Sequence, residues 1–119
     1  MINILKAIIL TTSLSLNPNL EKPQLKIAQG LKESGMNQYA VGRCGEYGAF
    51  QVIKKYHGTV PKDLKGQSEQ YDRIMNDLIR ESKNNVFKSV VKYNGRGEKA
   101  VAYAKSVRLK AIEIQIIGI

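Results

Sequence analysis

Four glycines between residues 35 and 48 (Gly35, Gly42, Gly45 and Gly48) constrain this chain more than any other feature. Glycine reaches positive φ at no steric cost and weakens any regular element it interrupts, so the stretch reads as loop. The segment before it is patterned as helix. Pro23 suits a first turn, and Leu25, Ala28 and Leu31 recur every three residues, with Ile27 four before Leu31. Gly30 weakens that helix and Gly35 ends it. Glu33 therefore falls in the last turn, where the partial negative charge of the helix dipole disfavours an anion.

Beyond the glycines, "GAFQVIKKYH" (48–57) can begin a short helix, and "GTVPKDLKGQ" returns to loop. "SEQYDRIMNDLIRESKN" is the clearest helix. Ser68 is a good N-cap, and Tyr71, Ile74, Met75, Leu78 and Ile79 form one apolar face. "NNVFKSVVKYNG" follows, with Val86, Val90 and Tyr93 at helical spacing and Asn94-Gly95 as its stop. The last pattern, "EKAVAYAKSVRLKAIEI", carries Val101, Ala104, Val107 or Arg108, and Ala111; the "IEIQI" tail extends it or forms a strand. These patterns predict a small, mainly α single domain of about five to six short helices.

The front of the chain is different. "MINILKAIILTTSLSL" has one charge, Lys6, followed by an uncharged run from Ala7 to Leu16. That run is too short for a bilayer span of about 20 residues, and it has the make-up of a secretory signal peptide. Ser13 and Ser15 offer small residues for cleavage. An N-terminal helix or strand docked on the core is the alternative. "NPNLEKP" is a breaker-rich linker, so residues 1–20 read as signal or hydrophobic segment and 21–119 as the domain.

A net charge of +9 draws the protein toward polyanions, whether nucleic acid, anionic lipid or an acidic wall polymer. The basic residues are scattered, no nucleic-acid motif appears, and no nucleic-acid partner is expected. Cys44 is the one cysteine, so neither an intramolecular disulfide nor a cysteine-rich metal site can form. A thiol–imidazole pair with His57, the one histidine, is weaker than a semi-buried thiol and a surface imidazole.

For acid–base chemistry, most carboxylates fall on the polar sides of helices, where solvation is the default. Glu33 and Glu46 alone adjoin the glycine-rich loop, where functional residues collect. "YNGRG" lacks the lysine and hydroxyl of a phosphate loop and reads as a turn between helices.

Three blocks in order, "ESG" at 33–35, "YGAFQV" at 47–52 and "KYNGRGEKAVAYAKSV" at 92–107, resemble the signature of the soluble lytic transglycosylases. That family shares the goose-type lysozyme fold. Gln51 follows Glu33 by 18 residues and Tyr93 follows it by 60, and the similarity runs from about residue 25 to 110. The resemblance implies a lysozyme-like domain that cleaves the glycosidic bond between N-acetylmuramic acid and N-acetylglucosamine, with no cofactor and no metal. Glu33 would be the single catalytic acid and base, and the muramic N-acetyl group would replace a second carboxylate, a known exception to the two-carboxylate pattern. Gln51 would bond the acetamido group or the surroundings of Glu33. Tyr93 would steady the Glu33 carboxyl, Asn94 fix the turn, Ser34 hold the helix end, and Tyr47 and Phe50 wall the cleft.

The block departures are Lys92 for alanine, Ala49-Phe50 for Leu-Met, and Gly42 where many members carry serine. The implied partner is the peptidoglycan glycan strand. The implied setting is an exported, periplasmic or wall-associated monomer without a stable membrane span. Its size suits a phage, conjugation or secretion assembly. Two alternatives stand: a goose-type lysozyme hydrolase, and a non-catalytic wall- or polyanion-binding module.

Overall fold

A computed structural model describes residues 22–117, so the N-terminal segment read as a signal lies outside the described residues. The elements run α1 (Lys22–Ser34), β1 (Glu46–Tyr47), β2 (Val52–Ile53), α2 (Lys54–His57), α3 (Leu64–Glu81), α4 (Val86–Asn94) and α5 (Gly97–Ile117). The domain is mainly α, as its patterning predicts. Among the described residues no helix is long and apolar enough to cross a membrane.

Helix α5 is the spine, and α1 and α4 pack on it. Its buried stripe is Ala100, Ala104, Val107, Ala111 and Ile112, mostly small residues that let neighbouring backbones approach. Val101, expected on that stripe, is only half-buried, because the helix turns the Ala100 register inward instead. The tail continues as helix to Ile117. From α1 come Leu25 and Ala28, from α3 Tyr71, Ile74 and Met75, and from α4 Val90. Each large apolar side chain so buried stabilises the fold by about 2 kcal/mol.

Gly30 is the price of close packing. A Cβ there would lie 2.5 Å from Met36 Cε and 3.1 Å from Phe50 Cε1, so the residue that weakens α1 also lets the loop close over it. The helix stops when Gly35 and Met36 take left-handed φ values of 69° and 63°. Gly35 N–H then donates to Leu31 O at 2.9 Å, and Met36 N–H to Gly30 O at 3.0 Å.

The start of α3 corrects the sequence reading. The N-cap is Asp63, whose carboxylate accepts from Gly66 N–H at 3.2 Å, so the helix begins inside the segment expected to be loop. Ser68 lies within α3 and accepts from Lys26 Nζ at 2.9 Å, beside the Lys26–Asp72 ion pair. An interhelical contact has taken the residue that patterning assigned to the cap. "GAFQVIKKYH" yields helix only at its end, Lys54–His57. Its first half is a turn plus β2, paired antiparallel to β1 with Glu46 opposite Ile53 and Tyr47 opposite Val52.

Candidate active site

Glu33 is half-buried in the last turn of α1, and Tyr103 of α5 donates a hydrogen bond to its Oε2 at 2.5 Å. Burial pushes the Glu33 carboxyl above its ordinary value of 4.5; the Tyr103 hydroxyl opposes the rise, and the negative charge of Glu46 adds to it. Tyr103 is held far above its own range by desolvation first and by the adjacent Glu33 charge second, so it stays a phenol and a donor.

Behind this pair lies Gln29, one helical turn before Glu33 and wholly buried. The Tyr71 hydroxyl donates to Gln29 Oε1. Gln29 Nε2 closes no hydrogen bond, although the amide lies against the Tyr103 hydroxyl. The acid is thus backed by two tyrosines and an amide in apolar surroundings.

The loop half is organised by side chains that replace a backbone ladder. Ser34 Oγ donates to Ala49 O at 2.7 Å and accepts from Asn37 N–H at 2.9 Å, holding the helix end to the loop. Gln51 has φ of 51°, a conformation non-glycine residues seldom take, and its Nε2 donates to Gly48 O at 2.9 Å and Ala40 O at 3.2 Å. Both amide hydrogens are committed, and the remaining acceptor, Oε1, lies beside Gly42, 2.8 Å from where a Cβ would stand. Gln67 of α3, 1% exposed, anchors the whole: its Oε1 accepts from Ala49 N–H at 2.8 Å, and its Nε2 donates to Pro61 O at 2.8 Å and Gln38 O at 3.0 Å. Gly48, at φ 87°, is needed for this contact, since a Cβ would lie 2.6 Å from the Gln67 amide.

Gly42 explains itself in the same way. A Cβ would meet Glu46 Oε2 at 2.3 Å and Gln51 Oε1 at 2.8 Å. The space of the expected serine is filled by the Glu46 carboxylate, which also accepts from Cys44 N–H at 2.7 Å. Cys44 itself is exposed.

Two of the residues expected here are placed otherwise. The Tyr93 hydroxyl lies within electrostatic reach of Glu33 but donates to Phe50 O at 2.6 Å, and Tyr103 makes the hydrogen bond to the carboxyl expected of Tyr93. Phe50, 2% exposed with its ring tilted against Tyr71 at 4.8 Å between centroids, is core and walls no cleft. Tyr47 is half-buried in β1. Gln51, Tyr93 and Asn94, the last residue of α4, line one cavity of about 280 Å³. Sequence reasoning missed Tyr103, Gln29 and Gln67. Tyr103 had a signal, standing one turn before Val107 on the buried stripe inside the third block; the two glutamines had none.

No family model, curated protein or solved structure matches this chain.

Proposed function

We propose that this protein is a peptidoglycan lytic transglycosylase in which Glu33 serves first as acid and then as base. The observation that carries the reading is one carboxyl, desolvated at a helix end and held by a phenol that stays protonated, next to Ser34, which ties that helix end to a polar loop. Glu33 gives its proton to the glycosidic oxygen as the bond to the muramic C1 breaks, and the N-acetyl carbonyl oxygen takes up that carbon. The carboxylate then removes the proton of the muramic primary hydroxyl, whose oxygen closes on C1 and releases the acetamido group. Burial favours the proton at the outset, and the Tyr103 hydrogen bond stabilises the anion between the steps.

In this reading Gln51 Oε1 accepts from an acetamido N–H, and Asn94 offers an exposed amide on the cavity that both residues line. The +9 charge suits an anionic wall polymer, and action there requires export. A small monomeric enzyme serving local wall opening by a phage or a secretion apparatus fits the size.

Glu46 favours a second reading, hydrolysis, because it puts another carboxylate within electrostatic reach of Glu33. Mass analysis of products from purified peptidoglycan separates the two. Anhydro-muramic ends are expected, and new reducing ends would overturn the lyase in favour of the hydrolase. Wall clearing by Glu33→Gln at the wild-type rate would overturn both.

A further inference from the structure

The cavity that Gln51 shares with Tyr93 has a second half with different chemistry. Its floor is apolar, made by Ile74 and Leu78 of α3. Its rim carries Tyr56 and His57 from α2 and Lys92 from the last turn of α4, and no carboxylate lines it. Lys92 belongs to none of the ion pairs among the described residues. Tyr56 is 68% exposed, an aromatic surface with the Lys55 ammonium over its ring at 5.6 Å from the centroid. The whole cavity, its Gln51 and Tyr93 end included, measures about 280 Å³, more than a lone carboxylate fills.

We propose that this half of the cavity seats the peptide stem of the muramic sugar, with Lys92 pairing a stem carboxylate while Ile74 and Leu78 take its methyl groups. The inference rests on the peptidoglycan reading and adds the part of the substrate that a bare glycan lacks. Continuity through Gln51 is what links the two: the residue that the glycan reading sets at the acetamido group also lines the cavity on which Lys92, Ile74 and Leu78 lie. The Tyr56 ring offers a flat wall against the peptide plane. The exposed ammonium gives the stem carboxylate a charge partner, with partial loss of its own hydration.

The test compares kcat/KM on stem-bearing strands with that on amidase-stripped strands, whose lactyl carboxylates are freed. Lys92→Ala is expected to lose about fivefold on stem-bearing strands alone, and the charge-reversing Lys92→Glu more, since an exposed pair is of modest strength. Equal loss on stripped strands would assign Lys92 to the lactyl group or to simple support of α4 and overturn the proposal, as would no loss on either. If the wild type cleaves neither substrate, the peptidoglycan reading fails on its own. NMR titration with a free stem peptide then decides the cavity: saturable shifts at Ile74 and Leu78 methyls, lost in Lys92→Glu, support it, and none in the wild type overturns it.

Discussion

The two halves of the site are built by opposite means. The helical half places Glu33, Gln29 and Tyr103 on α1 and α5, whose own ladders and buried small residues already fix the geometry. The loop half, residues 35–53, spends little backbone on regular structure: two strands of two residues and a run of left-handed turns at Gly35, Met36, Gly45, Gly48 and Gln51. It is held by amides and hydroxyls reaching main-chain groups. A loop anchored through one buried amide loses several contacts together when that amide goes, as Gln67 shows with its three main-chain partners. The chemistry sits where the rigid half meets the cooperative one.

The largest effect is expected in the rigid half and should leave the fold intact. Glu33→Gln removes the proton but keeps an oxygen to accept from Tyr103, so wall-clearing activity should fall by about 10³-fold or more. Stability should move the other way. The folded Glu33 binds its proton more tightly than the unfolded one, whose value is near 4.5, so wild-type stability falls as pH rises from there through the folded value. The glutamine variant escapes that loss. Its melting temperature should match the wild type at pH 4 and exceed it at pH 7; a lower one at pH 7 would break the burial argument.

Next comes the anchor of the loop half. Gln67→Ala deletes one acceptor and two donor contacts and leaves Ala49 N–H, Pro61 O and Gln38 O to find water. A cost of about 3 kcal/mol in urea unfolding is expected, from the unpaired buried groups plus the cavity. Activity should fall with it, because Ala49 and Gly48 set the turn that carries Gln51. A loss under about 1 kcal/mol would show that the loop has other anchors.

The same contrast decides what patterning could reveal. Helices α3, α4 and α5 were legible because Tyr71, Ile74, Val90, Ala104 and Val107 repeat at helical spacing, and Glu33 because a glycine marks the end of α1. Gln29 and Gln67 were not, since an amide counts as a surface residue until something buried needs it, and their partners are tertiary. Ser68 misled for a related reason: Lys26, from another helix, claimed its hydroxyl. The family resemblance puts Phe50 in the cleft wall, but Gly30 opens a space in the core that its ring fills. Loop geometry depends on which side chain wins each main-chain group, and periodicity carries no information about that.

Smaller effects should appear in how the two halves tune one carboxyl. Tyr103→Phe removes the one influence that lowers the Glu33 pKa, leaving burial and Glu46 unopposed. Protonated acid then persists to higher pH, so the alkaline limb of the pH–activity profile should move up. Stability should drop by about 1 kcal/mol for the lost hydrogen bond. An unmoved limb would mean that Tyr103 merely packs.

Gly42→Ser should act from the loop side with the opposite sign. The new side chain occupies the space now held by the Glu46 carboxylate, which is the flexible end of a half-buried residue and can swing outward. Gln51 Oε1, 2.8 Å from the added Cβ on an amide held by two hydrogen bonds, must also shift, and Glu46 gives up Cys44 N–H. A stability cost of about 1–2 kcal/mol is therefore expected. Moving that negative charge away from Glu33 removes a cause of its raised pKa, so the alkaline limb should move down, by less than Tyr103→Phe moves it up. In the double variant the two displacements should partly cancel, because the residues reach the carboxyl through separate elements, α5 and the 42–46 loop. Equal profiles for wild type and Gly42→Ser would show that Glu46 does not feel Glu33 across the site. The second carboxylate, and with it the hydrolytic reading, would then lose its support.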